Sequence, residues 1–223
     1  GIDDYAITSE YNAIGFKLGS LFRAGKNIRF GATIEIPMQI TVDENWSINS
    51  ETSFDTTSNI LSSPENGTYR YEISTPFIFD FGGSVKLQNF LISGNVNVQD
   101  WSQVKFQSPA ELLGENQTIR TSYQSTVGYG IGAEYAWDPL NMKLRAGYRV
   151  IPSPLANAPH DLDHKYISTG ASFLLDNQIM IDLAYLRGYW NLYSGDSFNS
   201  LVTGIAKESV EIDKVLLTIS YRF

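Results

Sequence analysis

Val210-Glu211-Ile212-Asp213-Lys214-Val215-Leu216-Leu217-Thr218-Ile219-Ser220-Tyr221-Arg222-Phe223 ends the sequence in steps of two. Val215, Leu217, Ile219, Tyr221 and Phe223 share one face, and Lys214, Leu216, Thr218, Ser220 and Arg222 share the other. Successive side chains of a strand point to opposite sides, so the stretch predicts a strand with one apolar and one mostly polar face. An edge strand of a soluble sheet can alternate in the same way. It seldom ends on an aromatic-rich apolar face with no polar tail behind it.

The same alternation recurs upstream. Residues 28–42 place Ile28, Phe30, Ala32, Ile34, Ile36, Met38, Ile40 and Val42 against Arg29, Gly31, Thr33, Glu35, Pro37, Gln39 and Thr41. Further alternating stretches cover residues 13–23, 69–87, 90–106, 122–137, 142–150, 166–173 and 179–189, which makes about nine predicted strands. Pro37 cannot donate to a ladder and marks a bulge or break. Short turns are expected at residues 24–27, 88–89, 138–141 and 176–177, where Gly, Asn and Asp cluster. Residues 1–12, 43–68, 107–120, 151–165 and 191–209 read as polar loops. Ser108-Pro109-Ala110-Glu111 carries a capping Ser, a first-turn Pro and an acidic residue, and predicts a short helix before Asn116.

Composition narrows the class. The 223 residues are 43% hydrophobic and 18% charged, as in folded proteins, and no window is apolar for long enough to be a membrane helix. A transmembrane barrel needs only alternating strands of about 9 to 11 residues, so hydropathy leaves it open. The net charge of -8 disfavours nucleic acid, whose binding requires a basic surface. Zero Cys fits an oxidising envelope compartment.

Tight turns alternate with long polar connections, the asymmetry of outer-membrane barrels. Nearly every strand pairs an apolar face with one bearing Gly, Ser, Asn or charge, and a soluble protein would need a second sheet to cover the apolar band. The fold expected is all-β: a transmembrane antiparallel up-and-down β-barrel, with a soluble β-sandwich binding module as a distant rival. An odd strand count puts the two chain ends on opposite sides, whereas complete single-chain bacterial barrels are even. The expectation is a single barrel domain over residues 1–223 that forms part of a larger barrel.

The last strand resembles the C-terminal strand of bacterial outer-membrane barrels, whose closing Phe follows apolar residues at alternate positions. By that resemblance Tyr221 and Phe223 would be the terminal signal for membrane insertion. Gly15-Phe16-Lys17-Leu18-Gly19-Ser20-Leu21-Phe22 followed by Ile28-Arg29-Phe30-Gly31-Ala32-Thr33 resembles a hairpin of the FadL-like (OmpP1/toluene-type) outer-membrane transporters of long-chain fatty acids and hydrocarbons. Thr75-Pro76, Gly82-Gly83, Asp100-Trp101-Ser102, Ile131-Gly132-Ala133-Glu134-Tyr135, Leu144-Arg145-Ala146-Gly147-Tyr148, Pro152-Ser153-Pro154 and Asp182-Leu183-Ala184-Tyr185 extend it along the chain. The resemblance implies about nine strands of a fourteen-stranded barrel, its C-terminal portion, with the N-terminal hatch and first strands absent. It implies a monomer in the outer membrane of a Gram-negative bacterium, surrounded by lipid and lipopolysaccharide and inserted by the barrel assembly machinery. The function implied is uptake of hydrophobic small molecules such as long-chain fatty acids, with a general-diffusion or structural porin as the alternative. No enzyme activity and no cofactor are implied.

Without Cys and with only two His, nucleophile–base pairs are scarce. The candidate lumen-lining set is Lys17, Arg29, Glu35, Asp80, Lys86, Glu134, Lys143, Arg145, Arg149, Asp182 and Lys214, all on the polar faces. It reads either as a ladder of ion pairs stiffening the wall or as a lining that steers a carboxylate, with Lys143, Arg145 and Arg149 as anion contacts. His160, Asp161, Asp163 and His164 are weak metal-ligand candidates. A His/Asp-rich loop is more often simply solvated.

Overall fold

The computed structural model describes residues 2–54, 57–61, 65–175, 178–195 and 205–221. In chain order the strands are β1 (Ile2–Ala13), β2 (Phe16–Ala24), β3 (Ile28–Ile36), β4 (Gln39–Phe54), β5 (Thr57–Leu61), β6 (Glu65–Ser74) and β7 (Ile78–Leu87). There follow β8 (Phe90–Asp100), β9 (Lys105–Ser108), a helix α1 (Glu115–Ser122), β10 (Ser125–Trp137), β11 (Met142–Ile151), β12 (His164–Leu175), β13 (Ile179–Gly195) and β14 (Ile205–Tyr221). They form two compact units, each built on its own antiparallel sheet.

The larger unit holds a nine-stranded sheet in the order β14-β13-β12-β11-β10-β8-β7-β3-β2, so neighbours in space follow the order of the chain. These are the nine strands expected from alternation. Left-handed residues sit where the tight turns were read: Gly25 at φ 71°, Gln88 at φ 52° and Asn141 at φ 47°. The turn expected at residues 176–177 lies outside the described residues, as do Arg222 and Phe223. Among the described residues β2 and β14 are the two edges of an open sheet.

One face of this sheet is apolar and uncovered. Phe16, Leu18, Phe30, Phe81, Ile131, Leu183, Val215, Leu217 and Ile219 lie on it, and Val215 is 71% exposed. Val42 and Val150 are the only buried apolar side chains among the described residues. A sandwich would cover such a face with a second sheet, whereas lipid covers it in a barrel. Along β10 the band runs from Trp137 to Val127, roughly 33 Å of strand, which suits a tilted strand crossing an apolar layer of about 25 Å. On β13 the same face turns polar past Leu183, where Tyr185 donates to Asp213 and Arg187 pairs with Glu211.

The smaller unit contains a five-stranded sheet, β1-β4-β6-β9 with β5 on β4, and it corrects the loops expected over residues 1–12 and 43–68. β1 pairs with β4 over twelve residues, from Ile2 opposite Glu51 to Ala13 opposite Ile40. One face carries Tyr5, Ile7, Tyr11, Val42, Trp46 and Ile48, interrupted where Ser9 faces Glu44, and the other carries Ser, Thr, Asn and acidic residues. Residues 191–195 and 205–209, expected as loop, likewise extend β13 and β14. The stretches 28–42 and 69–87, read as single strands, are each interrupted at a proline. Glu35 faces Ile78 and Gln39 faces Ser74, so each strand skips three residues around Pro37 and Pro76. Met38 and Thr75 bridge the interruption: the Met38 N–H donates to Thr75 Oγ1 at 2.9 Å and the Thr75 N–H to the Met38 carbonyl at 2.9 Å.

The expected helix also shifts. Ala110–Leu112 forms a single tight turn, and α1 begins only beyond Gly114. Asn116 then fastens α1 to β9, accepting from the Phe106 N–H at 2.7 Å and donating to its carbonyl at 3.0 Å.

Candidate functional site

The polar face of the nine-stranded sheet carries the candidate residues, because every one of them occupies the side of its strand opposite the apolar band. The registers sort them into two paired clusters and a group of unpaired cations.

The first cluster joins β2, β3, β7 and β8. Lys17 lies 3.3 Å from Asp80 and 3.7 Å from Glu35. Asp80 also accepts from Thr33 Oγ1 at 3.0 Å and from Asn97 Nδ2 at 2.6 Å. Thr33, Asp80 and Asn97 stand directly opposite one another across the ladder, so register alone delivers these partners.

The second cluster joins β10 to β13. Glu134 faces Arg145 across the hairpin that turns at Asp138–Leu140, and the two meet at 2.7 Å. Lys143 reaches the other Glu134 oxygen at 3.1 Å, and Arg145 spans to Asp182 at 3.1 Å. Ser172, opposite Asp182, donates a hydrogen bond to it. Two of the three proposed anion contacts, Lys143 and Arg145, are thereby neutralised by carboxylates of the wall itself.

Arg29, Lys86, Arg149 and Lys214 have no ion-pair partner among the described residues. Arg149 is exposed on β11 between Gly130 and Tyr166. Next to it the wall is made of glycines: Gly132 faces Gly147, and Gly130 faces Arg149 itself. A cavity of about 530 Å³ opens there, lined by Ser93, Asn95, the three glycines, Arg149, Tyr166, Ser168 and Leu186. Inspection for charge overlooks this region. The available signal is Gly130-Ile131-Gly132 across a hairpin from Gly147, three missing side chains on one face.

The four residues weighed as metal ligands disperse instead of converging. Asp161 Oδ2 accepts from Lys207 Nζ at 2.9 Å, Tyr193 OH at 2.7 Å and Asn191 Nδ2 at 3.2 Å, which ties its loop to β13 and β14. Lys207, then Tyr193, hold its carboxyl down at about 2. Asp163 caps the Ser153 N–H at 2.9 Å and meets His160 Nδ1 at 3.1 Å. His164 stacks on Trp190 with ring centroids 4.1 Å apart. Among the described residues no three such side chains could hold one metal ion. The site as a whole offers compensated charge, hydrogen bonding and a smooth glycine surface.

Comparison with known proteins gives a consistent set. The family model described as outer membrane protein transport protein (OMPP1/FadL/TodX) matches residues 5–194. A crystal structure of the toluene transporter TodX from Pseudomonas putida superposes with a TM-score of 0.58 at 16% identity, covering 95% of this chain and 50% of that one. A second structure of the same transporter gives 0.55 at 17% identity, covering 94% and 49%. The chain therefore spans about half the length of these relatives. At such identity the superpositions speak for the fold. No curated protein matches the chain.

Proposed function

The chain belongs to the OMPP1/FadL/TodX family of outer membrane transport proteins, and from that premise we propose that it forms part of the wall of one barrel domain that admits hydrophobic small molecules, long-chain fatty acids or aromatic hydrocarbons, across the outer membrane. The family match over residues 5–194 carries this reading. The uncovered apolar face of the nine-stranded sheet supports it, because a lipid-facing wall needs such a face. On this reading Lys17, Arg29, Glu35, Asp80, Glu134, Lys143, Arg145, Arg149, Asp182 and Lys214 line the lumen. The paired members stiffen the wall, and the unpaired ones face the passing solute. Tyr221 lies on the lipid side opposite Ile179 and belongs to the terminal insertion signal.

Growth on limiting oleate or toluene as sole carbon source, with and without the gene, tests the reading. Loss of growth on either substrate, restored by the gene in trans, is the expected result. Unchanged growth on both would overturn it. Liposome swelling in hydrophilic sugars would instead favour a general-diffusion porin.

A further inference from the structure

We propose that the polar face of the nine-stranded sheet holds a binding site for a small planar aromatic carboxylate, its ring lying over Gly130, Gly132 and Gly147 beside Tyr166 and its carboxylate on Arg149. The proposal rests on the reading of this face as a lumen and adds a ligand class to it.

Four observations meet at this place. The first is room: the cavity of about 530 Å³ falls within the size range of small-molecule sites. The second is the shape of its floor. With no Cβ at three neighbouring inward positions the floor is low, and at Gly132, where nothing comes nearer than 3.5 Å to the place of a Cβ, a flat ring can approach the backbone itself. The floor is also kept low by its neighbours. A Cβ at Gly130 would stand 2.5 Å from Asn95 Oδ1, and one at Gly147 would stand 2.8 Å from Ser168 Oγ, so both polar side chains lie down into the space the glycines leave.

The third observation is charge. Lys143 and Arg145 are spent on Glu134 and Asp182, whereas Arg149 has no acid within ion-pair distance among the described residues. A guanidinium matches a carboxylate with two parallel hydrogen bonds, and the match is stronger beside a wall than in open water. The fourth is an aromatic flank held in place. Tyr166 faces Arg149 across the ladder, and its ring fills the space over Gly188, where a Cβ would come within 2.7 Å of it. Trp190 and His164 back it, with the Tyr166 and Trp190 centroids 6.4 Å apart. A ring therefore has an aromatic edge to meet, and Ser93, Asn95 and Ser168 are placed to bond a ring substituent.

Titration of the full chain in detergent with 4-fluorobenzoate, followed by fluorine NMR, tests the site, with fluorobenzene and decanoate as competitors. Saturable binding is expected, weakened roughly ten- to a hundredfold in Arg149→Gln and only partly in Arg149→Lys. Gly132→Val, which raises the floor, should abolish it. Decanoate should compete less well than benzoate, and fluorobenzene should bind more weakly than either acid. Absence of saturable binding, an unchanged affinity in Arg149→Gln, or tighter binding of decanoate would each overturn the proposal. Heat-modifiable gel migration checks that each variant is folded, and Arg149→Gln removes no hydrogen bond or ion pair of the wall among the described residues. Uptake of toluene and of oleate by proteoliposomes separates the two readings. Binding without uptake of either refutes the transport function alone, and uptake without 4-fluorobenzoate binding refutes this site alone.

Discussion

The nine-stranded and five-stranded sheets are built from the same antiparallel ladder and differ in what their side chains face. In the first, the strands divide over the apolar band into an apolar side and a side mostly of glycine, hydroxyl, amide and charge. In the second, the apolar face of β1 and β4, with Tyr5, Ile7, Tyr11, Val42, Trp46 and Ile48, is broken midway by Ser9 opposite Glu44, and the other face carries Thr8 and Glu10 opposite Asn45 and Asp43. Val42 is its one buried apolar residue among those described, at 1% exposure. Tyr71 reaches Phe106 edge-on at 6.0 Å and donates to Glu44 at 2.8 Å. A wall that faces lipid requires an unbroken apolar band on one side. A face interrupted by Ser9 and Glu44 does not meet that requirement.

The sharpest way to break this comparison is to place the same charge on each sheet. Ile131 lies within the apolar band of β10, between Val127 and Trp137, and is 60% exposed. Ile131→Arg should destabilise the folded protein in lipid vesicles by about 2–4 kcal/mol, the cost of an arginine near a bilayer midplane. Asn45→Arg, on an exposed position of β4, should stay within about 0.5 kcal/mol. Urea titrations of the two variants measure both. Similar losses would show that the apolar face does not meet lipid.

This contrast also explains what could be read without coordinates. Each strand of the nine-stranded sheet was legible because one side had to be apolar. β1 and β4 beyond Val42 were not, because Ser, Thr, Asn and acidic residues dominate them and Ser9 and Glu44 break their apolar face, while β6 was read only from Tyr69 onward as the start of the stretch 69–87. Pro37 was rightly suspected as a break, but its counterpart at Pro76 shows only once Gln39 is known to face Ser74. In the candidate site the Glu134–Arg145 pair was within reach, since the turn at Asp138–Leu140 sets their register. Arg145 joining Asp182 was not, because it crosses β12, which contributes only Gly170 opposite Arg145. The isolation of Arg149 was hidden for the same reason: lack of a partner is a property of the assembled wall.

A smaller effect separates networked from isolated charge. Glu134 serves both Lys143 and Arg145, with its own side chain 20% exposed, whereas Arg70 and Asp43 on the five-stranded sheet meet at 3.6 Å with the arginine 68% exposed. Glu134→Gln should cost about 1 kcal/mol, since it leaves two cations short of a partner in a partly exposed network, and Arg70→Gln close to nothing. Double-mutant cycles with Arg145→Gln and Asp43→Asn give the coupling in each case. Equal couplings would mean that the wall ladder adds no rigidity beyond that of surface pairs.

The smallest effects lie at the two ends of the pH scale, one for each unit. Burial, and then its bond to Glu44, push the Tyr71 hydroxyl from 10.0 up to about 12. A raised value means that the folded form holds its proton more tightly, so this contribution is complete below pH 10 and disappears as pH rises through about 12. Lys207, Tyr193 and Asn191 instead hold Asp161 from 3.8 down to about 2. A lowered value means that its contribution is complete above about pH 4 and disappears as pH falls through about 2. Alkaline titration followed by tyrosinate absorbance should show one tyrosine ionising near pH 12 that is missing in Tyr71→Phe and moves toward 10 in Glu44→Gln. Acid titration followed by Trp190 fluorescence should show a transition near pH 2 that Lys207→Gln moves upward, because the carboxylate then loses its strongest partner. A transition near pH 4 in the unaltered chain would mean that the Asp161 loop is not fastened to β13 and β14.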